Sequence, residues 1–202
     1  MKLYFSPGAC SLAAHIVIEE AGIPYTLERV DLASHKTEHG EDYTKINPKG
    51  YVPALALDNG ELLSEVAVVL QYISDQRKDR HLMAEAGSLQ RYRQMEWLSF
   101  ISTELHKQFS PLFRPDTPDA VKQQQLKLLG RRFDYVSETL RRHPYLAGAE
   151  FTAPDAYLFT VLNWPDYVKV DMTAWPGLGE YRARIASRPA VQRALKSEGL
   201  LK

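Results

Sequence analysis

The sequence has a single cysteine, Cys10, in 202 residues. One thiol excludes an internal disulfide framework, so stability must come from packing, and a reducing compartment is the simpler expectation. Charge of either sign is not in excess: 25 Lys and Arg balance 25 Asp and Glu. That balance removes the electrostatic case for nucleic acid or an anionic membrane as the main partner, and pairs such as Arg131-Arg132 and Arg141-Arg142 read as solvated helix faces. No apolar run approaches the ~20 residues that span a bilayer, and the first residues lack the basic-then-apolar pattern of a signal peptide. The histidines number six and are scattered. Only His35 and His39 lie at i, i+4, with no second ligand pair, so no metal site is expected. Internal repeats and low-complexity tracts are absent too. The expectation is a cytoplasmic protein with no nucleic-acid, membrane or metal partner.

A hydrophobic content of 45% suits one large domain or two small ones. The chain opens with Leu3–Phe5, an apolar and aromatic run that reads as a strand. Pro7-Gly8 breaks it, and Cys10 arrives where a helix begins. Leu12, Ala14, Ile16, Ile18 and Ala21 recur at helical spacing, and Gly22 is a natural stop. Tyr25–Leu32 reads as a second strand, so the opening is β-α-β, whose strands pair in parallel. Residues 33–47 are polar, with a weak helical turn at best. Asn47-Pro-Lys-Gly-Tyr-Val-Pro-Ala-Leu55 is a turn leading into a third strand that ends at Leu57. Asp58-Asn59-Gly60 signals a hairpin, Glu61–Leu63 a fourth strand antiparallel to the third, and Ser64 an N-cap for a helix Glu65–Asp75.

Composition then shifts to charged and small residues. The expected organisation is an α/β domain over 1–77 (βαβ then ββα), a linker over 78–88 and an all-α domain over 89–202. Helical periodicities cover Leu89–Phe109, Asp119–Arg142 and Ala153–Trp164, with shorter ones after Pro176 and Pro189. Thr152-Ala-Pro-Asp155 has the spacing of a capping box.

Three features carry chemistry. Cys10 at a helix N-terminus meets unpaired N–H groups and the positive end of the dipole, which favour a thiolate; the alternative is a small buried hydrophobe. Val52-Pro53 invites a cis bond that presents the Val52 N–H and C=O to an extended peptide, the alternative being an ordinary turn proline. Glu96, Ser99, Thr103 and His106 fall at i, i+3, i+7 and i+10, a polar stripe facing either water or a site, and for His106 alone a surface or satisfied core histidine is the commoner outcome.

Six strings, in order, resemble a bacterial beta-class glutathione S-transferase: Ser-Pro-Gly-Ala-Cys-Ser at 6–11, Asn-Pro-Lys-Gly-Tyr-Val-Pro-Ala-Leu at 47–55, Leu-Leu-Ser-Glu at 62–65, Thr-Glu-Leu-His-Lys at 103–107, Pro-Leu-Phe-Arg-Pro at 111–115 and Asp-Ala-Tyr-Leu-Phe at 155–159. The resemblance implies a thioredoxin-like N-terminal domain, an all-helical C-terminal domain and a homodimer. It implies Cys10 and His106 as catalytic residues beside the glutathione sulfur, with Cys10 able to form a mixed disulfide. It further implies Val52, before cis Pro53, pairing with the cysteinyl part of glutathione, Glu65 and Val66 taking the γ-glutamyl end, and His35 near the glycyl end. Ser11 neighbours the sulfur, and Ser99, Thr103, Glu104 and Lys107 border the site from the helical domain. The family usually has lysine at His35, a small residue at Val66 and often glutamine at Tyr51. No second cysteine stands at Ala13, so a Cys10 mixed disulfide needs a second glutathione to resolve it.

The implied function is conjugation of the glutathione thiolate to a hydrophobic electrophile, in detoxification, with Cys10-based thiol–disulfide or peroxide activity beside it. Phe109 and Phe113, and after them Tyr157 and Trp164, are candidate linings of the electrophile site, with helix core an equally good reading of each. The alternative is a non-catalytic binding protein on the same scaffold. A cysteine protease built on Cys10 and His106 lacks an orienting Asn and an oxyanion motif.

Overall fold

The computed structural model describes residues 1–201. Strand β1 (Lys2–Phe5) leads through a short loop into α1 (Ser11–Ala21), which stops at Gly22 in the left-handed conformation (φ 65°). There the Gly22 N–H caps the carbonyls of Ile18 and Glu19, a role that glycine fills without steric cost. β2 (Thr26–Asp31), β3 (Lys36–Thr37), α2 (Tyr43–Ile46), β4 (Ala54–Ala56), β5 (Leu62–Ser64) and α3 (Val66–Gln76) follow.

The strands form one mixed sheet in the order β3-β2-β1-β4-β5. β1 pairs in parallel with β2, Leu3 opposite Leu27, and antiparallel with β4, Leu3 opposite Leu55. Period-two alternation sends Tyr4 to one face, where it packs with Val30, Tyr43, Val52 and Ala54. Phe5, one residue on, turns to the other face and meets the His15 ring of α1 at 6.2 Å.

Two readings are corrected. Residues 33–47 hold the helical turn, as the four-residue α2, and also a strand, β3, that the sequence reading missed. β3 is only two residues long, too short for a periodicity to register, and α2 is started by the Asp42 carboxylate accepting from the Thr44 N–H. Ser64 does not cap a helix: it ends β5, and Glu65, at φ 71°, makes the corner into α3.

The helices that follow are α4 (Leu89–Phe100), a π-helical stretch over Ile101–His106, α5 (Lys107–Phe113), α6 (Asp119–Arg142), α7 (Ala153–Leu162), α8 (Trp164–Val168), α9 (Pro176–Ala186) and α10 (Pro189–Ser197). The expected single helix from Leu89 to Phe109 is thus interrupted by wide turns. In α6, Leu129, Phe133 and Val136 are buried at spacings of four and three, one face of a helix. The capping box of α7 is formed, with Thr152 and Asp155 satisfying each other's backbone N–H groups.

The chain divides into two compact units: Met1–Met83 together with the segment from Arg188 on, and Ala84–Ser187. The sequence reading placed residues 188 onward with the helical domain. Instead the buried face of α10 (Ala190, Val191, Ala194, Leu195) packs on α1. Arg188 and Arg193 fasten it, binding the carboxylates of Glu20 and Glu19 at 2.6 Å each.

Candidate active site

In the first unit, the loop after β1 folds back on itself. The Ala9 N–H donates to the Ser6 carbonyl at 3.0 Å. The buried Ser11 hydroxyl closes the same loop, accepting from the Ser6 N–H at 3.2 Å and donating to its carbonyl at 3.3 Å. Ser11 therefore holds the loop that presents Cys10. Cys10 is the N-cap residue of α1, half-buried, and its Sγ donates to the Val52 carbonyl at 3.1 Å. The thiol is thus set where a helix N-terminus favours negative charge and, simultaneously, against the peptide that precedes the cis Val52–Pro53 bond.

The stretch carrying Val52 is fixed from outside. The Tyr51 carbonyl accepts from the Asn47 side-chain amide at 2.7 Å and from the Tyr43 hydroxyl at 3.1 Å. Burial pushes the Tyr43 phenol up to about 12, so it remains a donor. His35, itself at φ 53°, lies with Nδ1 3.1 Å from the Gly50 carbonyl. A Cβ at Gly50, whose φ is 71°, would come within 3.1 Å of that ring. β4 is flanked on both sides by β1 and β5, so an added peptide would meet Val52 beyond the strand's beginning instead of along a free sheet edge.

Glu65 stands at the corner before α3, and its Oε1 accepts from the Lys49 ammonium at 2.8 Å and the Tyr51 hydroxyl at 2.7 Å. That carboxylate holds the Lys49 ammonium and the Tyr51 phenol above their ordinary pKa values. Val66 opens α3, buried, with its N–H in the first turn, where the helix supplies no carbonyl partner. In the first unit the structure brings Cys10, next to the loop-closing Ser11, against the carbonyl of Val52, the residue before Pro53. Glu65 and His35 both hold the Asn47–Pro53 turn, the one through Tyr51 and the other through Gly50.

In the second unit, Ser99 and Thr103 are exposed, and the Thr103 hydroxyl donates back to the Ser99 carbonyl at 3.0 Å. Glu104 is committed to the Arg132 guanidinium at 2.7 Å, and Glu96 to Arg93 at 2.9 Å. Lys107 is exposed at the start of α5. His106 ends the π-helical stretch, half-buried, with Nδ1 2.7 Å from the Tyr157 hydroxyl and its ring edge-on to Trp164 at 4.7 Å. Of the aromatic residues expected to line an electrophile site, Phe109, Tyr157 and Trp164 are core, and Phe113 alone is half exposed, at 49%. Among the described residues, no group of three or more His, Cys, Asp or Glu is placed to hold a metal ion.

Residues 7–76 match the family model of the glutathione S-transferase N-terminal domain, and residues 100–189 that of the C-terminal domain. The chain belongs to the glutathione S-transferase family. It is 48% identical to glutathione S-transferase GstA of Escherichia coli O157:H7, over 99% of this chain and 100% of that one. It is 46% identical to the beta-class glutathione S-transferase of Sphingomonas chungbukensis, which it superposes on with a TM-score of 0.96 over 100% of both chains. A sphingomonad glutathione S-transferase solved in complex with glutathione is 47% identical, with a TM-score of 0.95 over 100% of both chains. The β-α-β-β-α-β-β-α unit is therefore the thioredoxin-like part of the family fold, and a helical part follows it in the chain.

One group of residues behind this glutathione S-transferase site was missed in the sequence. Glu198 accepts from the Gly8 N–H at 3.0 Å and pairs with His15 Nδ1 at 2.9 Å, both side chains of the pair being fully buried. His15 Nε2 lies 2.9 Å from the Tyr25 hydroxyl, which donates to Glu19. Burial opposes ionisation of Glu19, but the Tyr25 hydroxyl and the Arg193 guanidinium outweigh it and hold the carboxyl below its ordinary value. A buried histidine inside an apolar helix was the one available hint, and its partner lies 183 residues away.

Proposed function

We propose that this chain is a glutathione transferase that attaches the glutathione sulfur to an electrophilic carbon of a hydrophobic second substrate. The observation that carries the reading is the Cys10 thiol at the N-terminus of α1, 3.1 Å from the Val52 carbonyl and next to a cis proline. A peptide pairing with Val52 would place its own cysteine sulfur in the same neighbourhood, where the helix N-terminus lowers the cost of a thiolate. The first turn of α3, with Val66, suits the γ-glutamyl carboxylate. The family pattern assigns His35 to the glycyl end of glutathione and gives His106, Ser99, Thr103, Glu104 and Lys107 their roles in the same binding. These assignments follow the family pattern residue by residue. Cytoplasmic location, a homodimer and a detoxifying role belong to the same proposal.

A second activity is favoured by the half-exposed Cys10. Its thiolate would attack the glutathione sulfur of a mixed disulfide between glutathione and another thiol, forming a Cys10–glutathione disulfide and releasing that other thiolate. A glutathione thiolate from solution would then attack the glutathione sulfur on Cys10, freeing the Cys10 thiolate and giving oxidised glutathione, so that the substrate disulfide is reduced at the expense of glutathione. The non-catalytic alternative is not favoured, since the relatives over the full chain are named as transferases.

Intact-mass spectrometry after incubation with oxidised glutathione, for wild type and Cys10→Ala, tests the reading together with a conjugation assay on both. An adduct of one glutathione on wild type alone, with conjugation persisting in Cys10→Ala, supports conjugation by the bound thiolate and redox chemistry by Cys10. No adduct, no glutathione binding and no turnover would contradict it.

A further inference from the structure

We propose that His35 takes the glycyl carboxylate of glutathione only as the imidazolium, so that glutathione binding weakens as pH rises through the range in which histidine loses its proton. The inference rests on the reading above that assigns His35 to the glycyl end.

The tautomer of the neutral ring is fixed by its partner. His35 Nδ1 lies 3.1 Å from the Gly50 carbonyl oxygen. A carbonyl accepts and never donates, so the proton of the neutral imidazole stands on Nδ1. Nε2, on the other edge of the ring, then carries a bare lone pair. Among the described residues it has no hydrogen-bond partner, and His35 is exposed. A lone pair repels a carboxylate, whereas protonation of Nε2 creates a charged N–H donor that attracts one. A lysine at this position would stay charged over the whole neutral range. Histidine makes the same contact conditional on a proton.

Backbone and turn hold the ring in this pose. The Asp31 carboxylate accepts from the Ala33 and Ser34 N–H groups, and His35 follows at φ 53°, a conformation that histidine enters more readily than most residues. Its carbonyl accepts from the Tyr43 N–H at 2.8 Å. The imidazole lies against Gly50, where a Cβ would come within 3.1 Å of Cε1 and 3.3 Å of Nδ1. Turning the ring over would set carbon against the Gly50 carbonyl and forfeit the bond. Gly50 itself stands two residues before Val52, so the ring is beside the stretch assigned to the cysteinyl part of the ligand.

The charged groups that face the ring come from three segments. Its own loop supplies Asp31, engaged with the backbone as above, and Lys36, the next residue. The α2 segment supplies Asp42 and Lys45. The Thr44 hydroxyl and N–H, and after them the charges of Lys45 and His35, hold the Asp42 carboxyl below its ordinary value. The turn supplies Lys49, whose ammonium is bound by Glu65 at 2.8 Å.

Binding is thereby linked to one proton. Below the histidine range the affinity is constant; above it, affinity falls by up to about tenfold per pH unit until the remaining contacts set a floor. Linkage is reciprocal, so the bound carboxylate raises the pH at which His35 titrates.

The test is calorimetric titration of the full chain with S-methylglutathione, which has no thiol to ionise, and with its glycyl amide, which differs only in lacking the glycyl carboxylate. Between about pH 5.5 and pH 8, wild type should lose about fivefold in affinity for the acid and keep its affinity for the amide. His35→Lys should bind the acid with an affinity that is flat over that range. In a long-range ¹⁵N histidine spectrum, with His35 assigned by its loss in His35→Lys, the upper pH should show a protonated Nδ1 and a bare Nε2. The ring's titration should move to higher pH with the acid and stay in place with the amide. Affinity for the acid as flat as for the amide, a bare Nδ1, or a pH dependence that survives in His35→Lys would overturn the proposal while leaving the glutathione site standing. Discrimination between acid and amide that is lost in Lys36→Gln but kept in His35→Gln would also overturn it, by assigning the carboxylate to the neighbouring lysine. Failure of both ligands to bind at any pH would overturn it through its premise, the glutathione site itself.

Discussion

Glu198 is bonded to the backbone N–H of Gly8, two positions before Cys10 and 190 positions away in the chain. The same carboxylate holds His15 of α1, so one buried side chain from the last segment ties the Cys10 loop to the helix that Cys10 starts. Removing it takes the carboxylate from the fully buried His15 Nδ1 and from the half-buried Gly8 N–H, which costs more than the pair contributes net. Glu198→Ala should lose about 2–4 kcal/mol by urea unfolding, with a steeper loss of Cys10 reactivity than a distant variant of equal stability. Full retention of both would contradict the positioning of the loop by Glu198.

The outer end of this network titrates. Glu19 is held below the ordinary glutamate value of 4.5, so the unfolded chain binds its proton more readily than the folded one. Its contribution to stability is therefore present above that value and is lost as pH falls through the lower folded-state value. Unfolding midpoints of wild type and Glu19→Gln, compared between about pH 3 and pH 7, should differ most at the upper end and converge toward the acid end. A gap that widens with acidity would reverse the sign and refute the assignment.

Glu65 makes a corner at φ 71° and ψ 116°, a conformation that a Cβ strains and glycine does not. Glu65→Gly should therefore be more stable than Glu65→Ala by about 1 kcal/mol, since Glu65 is the N-cap residue of α3 and the positive φ adds to the N-cap preference for glycine over alanine. Both variants lose the carboxylate and should raise KM for glutathione equally. Differential scanning calorimetry and steady-state kinetics read the two effects separately.

Asp155 is buried and accepts from Leu146, Thr152 and Tyr181 at 2.8–2.9 Å. Burial raises its pKa against the pull of those donors. Asp155→Ala strands several buried donors and should cost about 3 kcal/mol or more, seen as low soluble yield or a lowered Tm. An unchanged Tm would refute the capping role.

What the sequence made legible was what lies close along the chain. Leu3–Phe5 with its Pro7-Gly8 break, the Gly22 stop, the Asp58-Asn59-Gly60 hairpin and the Thr152/Asp155 capping box each complete themselves within a few residues. Cys10 at a helix N-terminus followed from the same local logic, whereas the cis bond before Pro53 was one of two local alternatives, and the family resemblance chose between them. β3 stayed hidden because two residues carry no period, and Ser64 was misread because it fits a cap as well as a strand end. The π-helical stretch has no compositional mark: Ser102-Thr103-Glu104 suits an ordinary helix. Glu198 and Tyr157 act on partners 183 and 51 residues away, and nothing in one sequence pairs them.

The central claim is that the Cys10 and Val52–Pro53 neighbourhood binds glutathione and activates its sulfur for transfer to carbon. The most direct measurement is steady-state conjugation of glutathione to an activated aryl chloride by the purified protein, with glutathione binding followed in parallel by calorimetry. Saturable turnover, with KM for glutathione close to its dissociation constant and a rise in rate as the bound thiol ionises, is the predicted result. Binding without turnover across aryl and alkyl halides and epoxides, or turnover indifferent to the state of the thiol, would contradict it.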